Sequence, residues 1–152
     1  SEMALWNASS CNTIRMPAFL NEKGEFNILQ PCLRTGRQGK VVDNAGGGGL
    51  ISLIDEYTGI IKSDAVDKSG KRYAYHPDSH RKFKGTQIPM WNELVSLAEE
   101  IFRNCLPDYK YIGFDFALTD KGWVLIEGNW GQFIGQYYSH EGVADKFIEY
   151  IH

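Results

Sequence analysis

No run of eighteen apolar residues occurs in the 152-residue chain, so nothing in it reads as a membrane-spanning helix. The first residues lack the basic start and apolar stretch of a signal peptide. Ser1 rather than Met stands first, and residues 1–7 read as a linker or as appended residues. Cysteine is scarce: Cys11, Cys32 and Cys105 are an odd, dispersed set without CxxC spacing. Such a set predicts free thiols in a reducing, cytoplasmic compartment and excludes a disulfide frame or a four-cysteine zinc site. Positive charge is not in excess either, since the net charge is −3. Lys68, Lys71, Arg72, Arg81, Lys82 and Lys84 gather mid-chain, but Asp64, Asp67 and Asp78 dilute them, which argues against a nucleic-acid binder. GxxxxGK[ST] is missing, and so is a strand-loop-helix dinucleotide fingerprint.

What remains has ordinary hydrophobic content and 13% aromatic residues, enough for one folded unit with a real core. Residues 8–152 are expected to form a single α+β domain, a mainly antiparallel sheet with two helices packed on one face. The segment Cys11 to Leu20 has β character, with Pro17 expected to end regular pairing. After the turn Asn21-Glu22-Lys23-Gly24, Glu25 to Thr35 resumes as a second strand in which Pro31 demands an edge or a bulge. Leu50 to Ile54 and Ile60 to Val66 flank a hairpin loop over residues 55–59. His76 and His80 stand at i, i+4, but Pro77 opposes a helix there, so they read as surface-loop histidines rather than metal ligands. The spacing of Leu94, Leu97, Ala98, Ile101, Phe102 and Cys105 predicts a helix over Trp91 to Cys105 with one apolar face. A second helix is expected around Gly142 to Ile151, with Val143, Phe147, Ile148 and Ile151 on one side.

Two stretches carry candidate chemistry. Asp43-Asn44 precedes four consecutive glycines, Gly46 to Gly49, whose N–H groups suit an anion nest; the same run also suits a mobile connection. The other is Tyr111 to Phe133, which reads as two strands joined by a loop at Asp120, Lys121 and Gly122. A three-residue loop ending in Gly places Asp115 opposite Glu127, and the period of two puts Asn129 on the same face. Gly113, Ala117, Leu125 and Trp123 share that face. Ile112, Phe114, Phe116, Leu118, Val124, Ile126 and Trp130 fall on the other, read as the core side. Charged residues on the outer face of a hairpin are ordinarily just solvated. Two carboxylates directly opposite repel, however, unless a cation or shared proton compensates, and hard oxygen donors suit Mg²⁺ or Mn²⁺.

The hairpin Gly-Phe-Asp115-Phe-Ala, turn, Leu-Ile-Glu127-Gly-Asn129 resembles the carboxyl-terminal metal-binding hairpin of the ATP-grasp superfamily. More narrowly, the chain resembles the sugar-transfer-associated branch, linked to bacterial polysaccharide biosynthesis. The matches are Asn12-Thr13-Ile14-Arg15, Leu33-Arg34-Thr35-Gly36, Asp43-Asn44 with the glycines, His76-Pro77-Asp78, Ile88-Pro89-Met90-Trp91 and the hairpin. Phe114 stands where the branch often has Trp. The resemblance implies an ATP- and Mg²⁺-dependent, carboxylate-activating ligase-like enzyme. Asp115, Glu127 and Asn129 match its metal ligands, and Gly47 and Gly48 are nucleotide-facing candidates. Arg15 and Arg34 are candidates for contacting phosphates or the acid substrate, and Asn44 for orienting them. It further implies that residues 8–152 are the later half of a catalytic unit, partnered by an N-terminal subdomain and taking a small-molecule or sugar-linked carboxylate. Two other readings stay open: a carbohydrate-binding module stacking sugars on Trp6, Trp123, Trp130, Tyr137 and Tyr138, and a non-catalytic assembly domain that keeps the fold.

Overall fold

The computed structural model describes residues 2–8, 11–37, 49–130 and 142–151. Its frame is a sheet built on β1 (Thr13–Leu20), almost every residue of which is buried. Such a strand belongs in the middle of a sheet, and β1 pairs antiparallel with three others: β2 (Phe26–Ile28), β3 (Cys32–Thr35) and β7 (Tyr111–Thr119). Outward from β3 lie β4 (Leu50–Leu53), β5 (Ala65–Val66) and β6 (Arg72–Tyr73), and outward from β7 lies β8 (Gly122–Asn129). The order of this eight-stranded sheet is β6-β5-β4-β3-β1-β7-β8, with β2 on β1. Among the described residues β8 is therefore an outermost strand.

Two prolines sit where the ladders leave room for them. Pro17 does not end β1 but pairs with Gly113 inside it. On the side of β1 facing β2 and β3, Met16 and Pro17 fall between the two ladders, which run over Ala18 to Leu20 and Thr13 to Arg15. The Pro17 carbonyl points into that gap and accepts from the Leu29 N–H at 3.0 Å. Its nitrogen faces the same way, where no ladder donor is needed. Across the gap Gln30 takes φ 47° and Pro31 follows, so the expected single strand divides into β2 and β3 with a one-residue register shift.

One face of the sheet carries the main core. Ile14, Met16, Leu33, Phe114 and Phe116 point there against Trp91, Leu94, Ala98 and Phe102 of α1 (Trp91–Cys105). Phe102 meets Phe114 edge to face at 6.2 Å, and burying each such ring stabilises by about 1.5–3 kcal/mol. The helix follows the expected stripe except at its last residue, where Cys105 is exposed. Gly59 lets the loop after β4 lie against α1: its φ is +71°, and a Cβ there would come within 2.3 Å of Trp91 Cγ.

The second helix, α2 (Ala144–Ile151), is on the opposite face, not beside α1 as expected. Its Phe147 packs edge to face on Phe19 at 5.2 Å, in a cluster with Leu29, Val143 and Tyr111. Phe19 and Tyr111 alternate out of phase with the core residues Ala18 and Ile112, so α2 has to follow them. Ile148 is exposed rather than part of the apolar side. At the other end, residues expected to be a linker form a 3-10 turn, Glu2–Leu5, and Met3 and Trp6 are buried in the main core.

Candidate functional site

The face opposite α1 is crossed by one row of chemically loaded residues. Register places Cys32 beside Arg15, Arg15 beside Asp115, and Asp115 beside Glu127, one from each of β3, β1, β7 and β8. Adjacent strands lie roughly 4.8 Å apart, so the row packs these groups shoulder to shoulder. Arg34 occupies the neighbouring row opposite Thr13, and Asn129 the row on the other side opposite Gly113. Thr13, Pro17, Gly113 and Ala117 fill the places between with small side chains, which leaves the guanidinium groups room to lie over Asp115.

The expected juxtaposition of Asp115 with Glu127 is present, but by a different route. The turn is shorter than expected, with Thr119 paired to Gly122, and the missing residue is recovered as a β-bulge: Phe116 pairs with Leu125 while Asp115 pairs with Glu127, leaving Ile126 as the extra residue. This phase exchange corrects the faces expected for the residues between turn and bulge. Trp123 lies opposite Leu118 on the core side, is buried, and donates its indole Nε1–H to the carbonyls of Pro89 at 3.3 Å and Met90 at 3.1 Å. Val124, expected in the core, is exposed, as are Ile126 and Trp130.

Asp115 is 2% exposed and held by two arginines. Arg15 binds it in a bidentate fork, Nε to Oδ1 and Nη2 to Oδ2, the latter at 2.6 Å. Arg34 adds a bond from Nη1 to Oδ2 at 2.9 Å. Burial pushes the Asp115 carboxyl up, but the bonds from Arg15 and the charges of Arg34 and Arg15 outweigh it and hold Asp115 below the usual carboxylate range. Burial likewise pulls the Arg15 guanidinium down, and its bonds to Asp115 more than compensate, so both partners stay charged. Glu127 is the open side of the cluster. Its side chain is 55% exposed, its Oε1 lies 3.9 Å from Arg15 Nη2, and Asn129 Nδ2 donates to that oxygen at 2.9 Å. The repulsion expected between Asp115 and Glu127 is thus met by guanidinium groups.

As ligands for a divalent cation, Asp115, Glu127 and the Asn129 amide carbonyl are all hard oxygen donors and fit Mg²⁺ or Mn²⁺ in kind. In the arrangement seen, both Asp115 oxygens already accept from arginine. Among the described residues no group of three or more His, Cys, Asp or Glu side chains gathers to hold a metal. Asn44, Gly47 and Gly48 lie outside the described residues, as do Tyr137 and Tyr138. Farther along the same sheet face, Phe19, Tyr111 and Phe147 help line a cavity of about 310 Å³. Burial raises the Tyr111 phenol to about 12, against the opposing charge of Arg15.

One buried polar group was missed in the sequence. His76 is fully buried, not a surface-loop histidine. Its Nδ1 accepts the N–H groups of Asp78 at 3.2 Å and Ser79 at 3.3 Å, which leaves the proton on Nε2 to donate to the Gly36 carbonyl at 3.0 Å. Thr35 Oγ1 lies 3.3 Å from Nε2 and donates to Asn12 Oδ1 at 2.6 Å; Asn12 Nδ2 in turn donates to the carbonyls of Met3 and Asn7. The end of β3, directly after Arg34, is thereby tied to the 3-10 turn and to the loop at residues 76–79. The signal was a histidine followed by Pro-Asp-Ser, a turn whose N–H groups fold back on the ring.

The family model described as sugar-transfer associated ATP-grasp matches residues 1–146. No curated protein and no solved structure matches the chain.

Proposed function

Since the chain belongs to the sugar-transfer associated ATP-grasp family, we propose that it supplies the metal and phosphate wall of an ATP-dependent, carboxylate-activating ligase-like enzyme of polysaccharide biosynthesis, acting in the cytoplasm. The observation that carries this reading is the row in which Arg15, Asp115 and Glu127 stand side by side, with Asn129 bonded to Glu127. Asp115, Glu127 and the Asn129 carbonyl would hold the cation, which when bound supplies charge neutralisation at the phosphates. The chain's own part is placement. Arg15 and Arg34 offer guanidinium forks for phosphate or substrate carboxylate. Asp115 fixes where those forks lie, and Asn129 fixes the rotamer of Glu127. Asn44 is proposed to orient the bound acid, and the backbone at Gly47 and Gly48 to approach the nucleotide.

A cleft needs a second wall, and we assign it to an N-terminal ATP-grasp subdomain. Val124, Leu125 and Ile126 on β8 and Trp130 just after it are 41, 38, 51 and 68% exposed, and this outermost strand suits cover by such a unit. The same exposed apolar residues along the outermost strand also favour a second reading, a non-catalytic assembly domain. A carbohydrate platform is less well supported, because Trp6 and Trp123 are only 2% and 8% exposed. Joining the chain to its N-terminal unit should give nucleotide binding that needs Mg²⁺ or Mn²⁺ and ATP turnover that is lost in Glu127→Gln. If the joined protein binds no nucleotide with either metal, the catalytic reading falls and the assembly reading replaces it.

A further inference from the structure

Arg34 stands where the ladder between β3 and β1 ends. Its pairing with Thr13 closes that ladder, and Thr35 opposite Leu50 closes the one between β3 and β4. Strand ends open locally unless something besides the ladder holds them, and a guanidinium bonded to a carboxylate oxygen at 2.9 Å tolerates little displacement of its backbone. The restraint comes from the core side of the sheet. Alternation turns Thr35 away from Arg34, and the fully buried Thr35 donates from Oγ1 to Asn12 Oδ1 at 2.6 Å. The next carbonyl, that of Gly36, accepts from His76 Nε2 at 3.0 Å, and Thr35 Oγ1 lies 3.3 Å from the same nitrogen. The other ring nitrogen fixes where the proton is. Pro77 has no N–H, so the first donors after the ring are Asp78 and Ser79, and both bond to Nδ1, at 3.2 and 3.3 Å. With Nδ1 engaged as an acceptor, the neutral ring has a single N–H, and it points at Gly36. Burial favours that neutral form by lowering the pKa of His76. Trp6 and Phe83 flank the ring, with centroids at 6.4 and 6.0 Å, and hold its plane.

We propose that His76 is a positioning residue for Arg34: by holding the Gly36 carbonyl from the core side, its Nε2–H sets where the Arg34 guanidinium lies over the site row. Its bearing on function rests on the reading that Arg34 faces a phosphate or a substrate acid. To the groups on the site face it adds a buried imidazole on the other side of the sheet, forty residues along the chain from the carbonyl it holds.

The test reads hydrogen exchange of the Arg34 guanidinium in the full chain by nuclear magnetic resonance, its nitrogen resonance being the one absent from Arg34→Gln. His76→Asn keeps an acceptor at the place of Nδ1 but loses the reach to Gly36, and should speed that exchange about 10-fold, the shift in population that follows from losing one hydrogen bond. His76→Gln keeps a donor at the place of Nε2 and should leave the exchange as in wild type. A histidine that only stabilises the fold predicts otherwise: both variants lower Tm, and well below Tm neither moves the Arg34 exchange. That result, or equal acceleration in the two variants, would overturn the proposal. The reciprocal measurement needs no His76 variant to fold. In Arg34→Gln the His76 Nε2–H should exchange faster by a comparable factor, since coupling between two groups is mutual, and an unchanged rate overturns the proposal as well. No ligand enters these measurements, so failed nucleotide binding strikes the catalytic reading alone, and unchanged exchange strikes the positioning role alone.

Discussion

Replacing Asp115 by Asn keeps the volume of the side chain and removes its charge, so it isolates what the carboxylate does for the fold. The wild-type residue accepts three charge-assisted bonds, two from Arg15 and one from Arg34, in a place where Arg15 is 2% and Arg34 9% exposed. After the change both guanidinium groups remain buried, and Glu127, 3.9 Å from Arg15, is largely in solvent. Removing one side of a buried ion pair costs about 3–5 kcal/mol. For a chain of this size that corresponds to a fall in Tm of roughly 6–20 °C. Urea denaturation followed by tryptophan fluorescence measures it. The combined variant Asp115→Leu, Arg15→Met, Arg34→Met should recover much of the loss, because it leaves no buried charge uncompensated. The pH profile gives an independent check. The folded-state pKa of Asp115 is lowered, so its contribution is complete above the unfolded aspartate value of about 3.9 and is lost as the pH falls below that toward the folded value. Asp115→Asn should abolish this part of the acid limb. A loss below about 1 kcal/mol, or a combined variant less stable than the single one, would refute the account of a buried carboxylate compensating two arginines.

Gly59→Ala and Gly70→Ala form a matched pair. Both glycines have positive φ, +71° and +83°, but only at Gly59 does an added Cβ strike a neighbour, the Trp91 ring. The conformational term alone predicts a loss of about 1–2 kcal/mol at Gly70, and overpacking against Trp91 adds about 1–3 kcal/mol at Gly59. Equal losses in thermal denaturation would show that Trp91 moves aside freely. His76→Gln tests the buried imidazole. Burial lowers the His76 pKa, so the unfolded chain takes up the proton first as the pH falls below about 6.5, and stability declines from there toward the folded value. The variant should have a flatter Tm profile between about pH 7 and 5 than the wild type, and an unchanged slope would remove His76 as its source. Glu127→Gln, at an exposed position, should change stability by less than about 0.5 kcal/mol while lowering Mn²⁺ affinity; a large stability loss would mean that Glu127 supports the fold rather than a ligand.

Much of this was legible in the sequence because it depended on local rules. The α1 stripe is readable since Leu94, Ala98 and Phe102 repeat at helical spacing, and the pairing of Asp115 with Glu127 followed from counting residues between them. What the sequence concealed depended on partners distant along the chain. Arg15 gave no sign of its contact with Asp115, one hundred residues away, until β1 and β7 were known to be neighbours. Pro17 read as a strand terminator because its missing donor matters only if a ladder wants it, and here two partner strands meet at that point. Trp123 and Val124 were assigned to the wrong faces because a three-residue loop and a two-residue turn with a bulge give the same pairing beyond the bulge and opposite pairing before it. The position of α2 escaped for a related reason: its own pattern shows that it has an apolar side, and only Phe19 and Tyr111 say which side of the sheet receives it.

The hairpin has a consequence for what evolution or an engineer can do to it. Counting from the turn, β8 carries one residue more than its pairing with β7 consumes, and that surplus residue, Ile126, is 51% exposed. Loss of Ile126 would convert the irregular hairpin into a regular one in which Leu125 still meets Phe116 and Glu127 still meets Asp115. Adding a residue at the turn while removing this one would likewise restore the count. A deletion inside a strand ordinarily flips every side chain beyond it to the other face, yet here one length change leaves Glu127 and Asn129 where they are. The spacing between the turn and Glu127 can therefore change by one residue without moving Glu127 away from Asp115.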